Sequence, residues 1–461
     1  MAADSATPEP TQRLASFAAN LRYDDIPQRV REHCKNLLLD ALACAVAGRL
    51  GEETGQVAAL AGALAQSREA SVIGGEPLSL AGATLLNAYL VTAVTMCDVH
   101  RATLTHVTPE VVPPALAIAE RDGLSGRALL AAVAAGCEVT TRVGLGLDYP
   151  KFRARGWHGP GVIGPFGAAA AVGSLLGFDA DAMARAFGLA GSQAAGTFAA
   201  WGTPTVKFHQ CRGALSGLLA ALLAQQQFVA TREFLTAPDG GLYNTYAEGG
   251  KAELATGDLG QRWELEQIAL RLWPSASLTQ GTVTALFDIL GRQPIDFASV
   301  RKVRIALSDG AFKMHGGFGT YKAKFEALLS AHYTAAAILH DKALTLAQFE
   351  PNRYDDPKLR RFAAERVEVR ADPSVSGSQA VVEVETGDAT YSARCEHPLG
   401  SYENPVSRTQ IEEKFRTYAK GVLPDGAIAD LIGAVNGLEH VASVRILMAP
   451  LGGAARAIAA E

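Results

Sequence analysis

Residues 156–177 read "GWHGPGVIGPFGAAAAVGSLLG", an aromatic–histidine pair followed by a run of glycine, proline and alanine with almost no polar side chain. Pro160 stands where a helix tolerates proline, in the first turn, and the alanines after it are strong helix formers. A helix that is apolar all round must be packed among other helices, so the stretch reads as a buried helix starting just after His158. The same texture appears in "VREHCKNLLLDALACAVAGRL" (30–50), "GRALLAAVAAGCEVTTRVGLG" (126–146) and "GALSGLLAALLAQQQF" (213–228). Apolar residues recur there at three- and four-residue steps. From about Pro10 to Leu265 the chain is expected to be helical almost throughout.

Near Pro274 the pattern changes. "VRKVRIALSD" (300–309), "AERVEVRAD" (364–372) and "QAVVEVETGDATYSARCE" (379–396) alternate apolar and polar residues, and the last has Gly387-Asp388 at its middle. Alternation of this kind marks half-buried strands, and Gly-Asp marks a hairpin turn. Helical texture lies between these strands and returns after residue 408. The expected architecture is mainly α. A large all-helical domain is built from residues 1–267 and 409–461, and a smaller, mostly antiparallel α+β lid domain comes from 268–408.

The chain has 461 residues, more than one hydrophobic core usually supports. Its formal net charge of -5 and lack of a basic tract argue against a nucleic-acid partner. The six cysteines show no metal-ligand spacing, which points to a reduced, cytoplasmic setting. The opening "MAADSATPEP" lacks the pattern of a signal peptide, and the apolar stretches are broken by glycine or polar residues, so no membrane partner is expected.

Three helix starts share a design. His158 precedes the run quoted above. Lys207 and His209 in "TPTVKFHQCRG" precede "ALSGLLAALLA". Asp98, His100, Arg101 and His106 in "CDVHRATLTHVTPE" precede "VVPPALAIAE". A helix start offers unpaired N–H groups and the positive end of the dipole, and a nearby lysine or protonated histidine adds a charge-assisted hydrogen bond. Three such starts suggest a cavity for a small molecule with two or three carboxylates; three unrelated caps are the plain alternative. No GxSxG, GxxxxGK[ST] or HExxH occurs, and the spacing of His100 and His106 is not a metal-ligand step.

Taken in order, "LLLDALACAVAG", "GWHGPGVIGPFGAAAA", "VKFHQCRGALSGLLAALLA", "KAKFEALLSAHYTAAAIL" and "ENPVSRTQIEEKF" resemble the MmgE/PrpD family over nearly the whole chain. That family includes 2-methylcitrate dehydratase, cis-aconitate decarboxylase and iminodisuccinate epimerase. The resemblance implies a helical domain with a smaller α+β domain over the cleft, a homodimer, and neither metal nor organic cofactor. By that resemblance His106, His158 and Lys207 match site residues, and Asp98 stands for the family's acidic stretch. The later basic motif becomes Arg271-Leu272-Trp273-Pro274-Ser275-Ala276. Arginine keeps a carboxylate contact, whereas Ala276 cannot replace an imidazole that moves protons.

The expected activity is that of a cofactor-independent lyase acting beside a carboxylate of a di- or tricarboxylic acid, with dehydration placed ahead of decarboxylation. An epimerase of a related acid and a non-catalytic carboxylate binder are the alternatives. Lys207 and His106 are the expected proton-transfer groups. Lys207 becomes a base only if burial beside other cations lowers its pKa. Asp98 is expected to orient an imidazole, and Tyr149 to face Lys207 across the substrate. Arg271, His158, His100 and His209 are expected to bind carboxylates, with His315 in a glycine-rich loop above them. His106, His158, Lys207 and Arg271 are expected to converge on one void.

Overall fold

The computed structural model describes residues 9–317 and 319–452. The first eight residues, part of the opening read above, lie outside that span. The chain forms two compact units: Met1–Ala93, Cys97–Ile268 and Arg408–Glu461 make one, and Val94–Met96 with Ala269–Ser407 make the other.

The first unit is all-helical around its core. Its main helices are α1 (Pro10–Asn20), α2 (Gln28–Gly48), α3 (Thr54–Leu64), α4 (Leu80–Thr92), α5 (Thr108–Asp122), α6 (Gly126–Gly146), α7 (Tyr149–Ala154), α8 (Gly159–Leu175), α9 (Ala180–Gly191) and α10 (Thr205–Gln225). The helix Arg408–Ala419 brings the C-terminal part back onto α2. There Lys414 Nζ donates to Asp40 Oδ1 at 2.6 Å and to Cys44 Sγ at 3.3 Å, all in the interior. A buried charge is tolerated only when paired in this way.

Small residues let the central helices approach closely. A Cβ on Gly167 of α8 would lie 1.7 Å from Thr140 Oγ1 and 2.6 Å from the Gly136 carbonyl oxygen, both on α6. A Cβ on Gly217 of α10 would lie 2.3 Å from the Ala168 Cβ and 2.5 Å from the Pro165 carbonyl oxygen, both on α8. Helices α8 and α10 therefore run side by side in the same direction. Pro165, inside α8, has no N–H to give the Gly161 carbonyl. That carbonyl instead accepts Ala195 N–H at 3.1 Å and Arg212 Nη2 at 2.9 Å, which ties the segment before α10 to the first turn of α8.

Among the described residues, α6 alone is long and apolar enough, by length and composition, to cross a membrane, but 89% of that window is buried in the fold. Two of its charges, Glu138 and Arg142, are internal too. Arg142 pairs with Glu138 and donates to the carbonyls of Gly257, Asp258 and Arg262, and Glu138 accepts Leu265 N–H at 2.8 Å.

In the second unit, strands β1 (Val300–Leu307), β2 (Val367–Ala371), β3 (Ala380–Thr386) and β4 (Thr390–Cys395) form a sheet of order β2-β1-β3-β4. Strands β3 and β4 pair antiparallel from Ala380↔Cys395 to Glu385↔Thr390, around the Gly387-Asp388 turn. β1 also runs antiparallel to β3, but parallel to β2, with Val303 opposite Val367. The sequence reading expected the mostly antiparallel sheet; the parallel edge follows from the long helical crossover between β1 and β2. Residues 364–366 were read as strand and are the last turn of the helix Pro357–Arg366.

The glycine contacts yield a paired test. An open helical Gly→Ala change stabilises by up to about 1 kcal/mol, and Gly62 in α3 has nothing within 4 Å of its Cβ position. Gly62→Ala is expected to raise the melting temperature, whereas Gly167→Ala lowers it by several degrees. Equal shifts in thermal melts would show that α6 and α8 are not in such close contact.

Candidate active site

Each helix start named in the sequence reading is differently built in the fold. His158 is the N-cap residue of α8, and its backbone N–H donates to the Gly196 carbonyl at 3.0 Å. Its side chain does not cap the helix. Instead Nδ1 lies 3.0 Å from Nδ1 of His209, on the first turns of α10. One ring must donate and the other accept, so the contact requires at least one neutral imidazole. Burial, with the neighbouring bases His209, His106 and Arg153 next in effect, pushes His158 down to about 3. His209 is half-buried and also lowered, first by burial and then by Arg212. The expectation of a positively charged His158 at this helix start is therefore corrected. Near neutral pH it supplies hydrogen bonds without charge. The Arg153 guanidinium sits 3.3 Å over the Phe198 ring, which stacks on Trp201 and forms a wall beside His158.

The segment 98–107 leads into α5. The buried Asp98 carboxylate accepts Val107 N–H at 2.9 Å and Thr108 N–H at 3.1 Å, and a close bond from the Thr108 hydroxyl. Burial raises its pKa to about 6 against those donors. Asp98 was expected to orient or tune an imidazole. It does so with its carbonyl: His106 Nδ1 lies 2.7 Å from Asp98 O. A carbonyl can only accept, so Nδ1 carries a proton. Thr105 Oγ1 lies 2.6 Å from the Cβ position of Gly159, which lays this segment on the start of α8 and brings His106 near His158.

His100 is corrected as a carboxylate binder. It is fully buried, with Nδ1 2.8 Å from Thr103 Oγ1 and Nε2 3.1 Å from Glu264 Oε1. Both nitrogens are engaged inside the fold, so the ring acts as a strut.

Lys207 lies inside α10, which begins at Thr205, and it is 6% exposed. Nζ donates to Glu53 Oε2 at 3.2 Å, and the Tyr89 hydroxyl donates closely to the same oxygen. A basic Lys207 requires neighbouring cations; the contact seen is instead with a carboxylate, which favours the ammonium form. Tyr149 is the first residue of α7 and is half-buried. Burial pushes its phenol up to about 12, so it keeps its proton near neutral pH.

In the second unit, the buried Arg271 donates from Nη1 to its own loop, at Ser275 O, 2.8 Å away. His315 was expected in a glycine-rich loop. It is the last residue of the helix Asp309–His315 and is fully buried, with Nδ1 2.9 Å from Leu329 O. Ala276 is buried and carries no proton-bearing group. Among the described residues no group of three or more His, Cys, Asp or Glu side chains is placed to hold a metal ion.

The MmgE/PrpD N-terminal domain matches residues 12–255, and the MmgE/PrpD C-terminal domain matches residues 273–437. The chain belongs to the MmgE/PrpD family. It is 29% identical to a cis-aconitate decarboxylase-like protein of Aspergillus oryzae, over 98% of this chain and 100% of that one. It is 28% identical to the cis-aconitate decarboxylase of Aspergillus terreus, over 95% of both chains. Identity to the human cis-aconitate decarboxylase is 25%, over 96% of this chain and 94% of the human one. Within this MmgE/PrpD chain, sequence reasoning missed Glu53, Tyr89, Arg153 and Phe198. Glu53 lies 154 residues from Lys207, and no local pattern marks the pair.

The histidine pair implies a pH-dependent stability. The unfolded His158 takes a proton near 6.5, while the folded one resists it to about 3. Between those values the unfolded state binds more protons, so stability falls as pH falls through that window. Taking the pH from 7 to 5 is expected to cost up to about 2 kcal/mol through His158. Urea melts at both pH values should show a smaller loss in His158→Gln. An identical loss would place the pH dependence elsewhere.

Proposed function

We propose that this protein is a cofactor-independent carboxy-lyase of the cis-aconitate decarboxylase kind, acting on a small unsaturated tri- or dicarboxylic acid. One observation carries the reading: Lys207 stands beside the Glu53 carboxylate, with neutral imidazoles, His158 and His209, on the same helix and its neighbour. An ammonium held in its charged form is suited to anchor a carboxylate and to give up a proton. It is poorly suited to removing one. Loss of carbon dioxide leaves an electron pair on carbon, which a conjugated carboxyl group can accept before a proton donor quenches it. Such a reaction needs donors more than bases. The relatives' activity points the same way, and it moves decarboxylation ahead of dehydration.

In this reading Lys207 supplies the charge and the quenching proton. His106, oriented by its Nδ1 contact to the Asp98 carbonyl, and His158 hold or pass protons at the substrate carboxylates. Asp98 is a positioning residue, acting through its carbonyl on His106. The two-base arrangement with Tyr149 that an epimerase would need is not favoured, because burial keeps the Tyr149 phenol protonated and Lys207 faces a carboxylate. A homodimer in a reduced cytoplasmic setting completes the proposal, in keeping with six buried cysteines, none of them in a disulfide.

Incubation with cis-aconitate in deuterated water tests the reading. The expected result is release of carbon dioxide with one deuterium on carbon in the product. Deuterium uptake with inversion and no carbon dioxide, loss of water alone, or binding without turnover would each overturn it. Lys207→Ala and His158→Ala are expected to lower kcat/KM by at least about 100-fold, the scale of a positioned proton-transfer or charge-stabilising group.

A further inference from the structure

Glu53 belongs to the turn "GEETG" (51–55) between α2 and α3, a stretch that reads as an ordinary solvated turn. The fold pins that turn. Thr54 Oγ1 donates to the Gly48 carbonyl at 2.7 Å, and Gly48 lies so close to α4 that a Cβ there would be 2.0 Å from the Leu90 carbonyl oxygen. Gly51 meets Ala93 at the end of the same helix. Tyr89, beside Leu90 on α4, is fully buried, and its hydroxyl donates to Glu53 Oε2. That is the oxygen on which Lys207 Nζ also donates, at 3.2 Å. Glu53 is thus held from three sides, by its turn, by α4 and by α10.

The surrounding groups sharpen its role. On α10 itself Cys211, and on α4 Tyr89, are pushed up by burial and stay protonated. Glu110 of α5 lies near Cys211 and is raised far above the carboxylate range by burial, so it is a neutral acid. The His158–His209 pair, from α8 and α10, is pushed toward neutrality. Of the four acids, Cys211, Tyr89, Glu110 and Glu53, only Glu53 is held below its ordinary range: burial opposes its charge, but the Tyr89 and Lys207 donors outweigh that. Among these groups the one anion is placed on the one lysine.

We propose that Glu53, seated by the Tyr89 hydroxyl, is the positioning residue that holds the Lys207 side chain as an aimed ammonium. The assignment rests on the role given to Lys207 under the proposed function. An ammonium has three N–H donors. Glu53 takes one, which fixes the direction of the others and makes loss of the proton harder. Tyr89 acts through Glu53 by closing the carboxylate against rotation.

The test uses the full chain and two independent readouts. The first is the rate at which Lys207 is acylated by acetic anhydride at pH 8, followed by peptide mass spectrometry. It needs no substrate. Glu53→Gln keeps the shape and removes the charge, so a larger fraction of neutral amine is expected to speed labelling at least about threefold. Tyr89→Phe should give a smaller increase, and Glu53→Asp should restore slow labelling in part. The second readout is the pH profile of kcat/KM with cis-aconitate. In Glu53→Gln its alkaline limb is expected to move down by about one pH unit, a tenfold change in the proton equilibrium, with kcat falling more than KM rises. Unchanged labelling of Lys207 in Glu53→Gln overturns the proposal. So does a uniform loss of activity at every pH with a lowered melting temperature and unchanged labelling, which marks a structural carboxylate. Faster labelling with an unshifted alkaline limb keeps Glu53 on Lys207 and instead removes the proton-donor role from Lys207.

Discussion

The close backbone approach of α6, α8 and α10 is the constraint on which the rest depends. Glycine at 136, 167 and 217 removes the side-chain atoms that would hold these helices apart. Once they touch, the start of α8 and the first turns of α10 become neighbours, and His158 meets His209. Packing at this density transmits position well, because interiors have few voids and resist deformation. A methyl group added to the seam would therefore move catalytic candidates that lie several turns away.

A second consequence of the same packing is electrical. A polyanionic substrate invites the thought of a strongly positive pocket, and the sequence, with its histidines at helix starts, encourages it. Burial works against that picture. It lowers His158, raises Asp98 and Glu110, and keeps the Tyr149 phenol protonated. In a helical core the cost of an isolated charge exceeds what a weak base or acid gains by ionising. Buried charges survive where they are paired, as at Lys207 and Glu53. The proposed reaction, whose last step is a single protonation, is suited to neutral imidazoles near one lysine held against a carboxylate.

The fold was legible to a large degree. Helical periodicity in residues 30–50, 126–146 and 213–228 corresponds to α2, α6 and α10, and the alternation in 379–396 corresponds to the hairpin of β3 and β4. These are local signals: an amphipathic strand or an all-apolar helix declares itself within a dozen residues. Errors arose at boundaries, where α10 begins at Thr205, before Lys207, and where residues 364–366 finish a helix. Helix ends depend on caps and contacts that the apolar pattern does not encode.

For the candidate site the division is sharper. The sequence by itself determined the residue types available, the histidines, the lysine and the small residues around them, because composition and order along the chain carry that much. Only the tertiary structure decided partners and protonation. It turned His100 inward onto Glu264, turned the Asp98 carboxylate to the start of α5, and set Glu53 and Tyr89 on Lys207 across long stretches of chain. The reason is physical: ionisation responds to burial and to charges a few ångströms away in space, and neither quantity exists until the chain has folded.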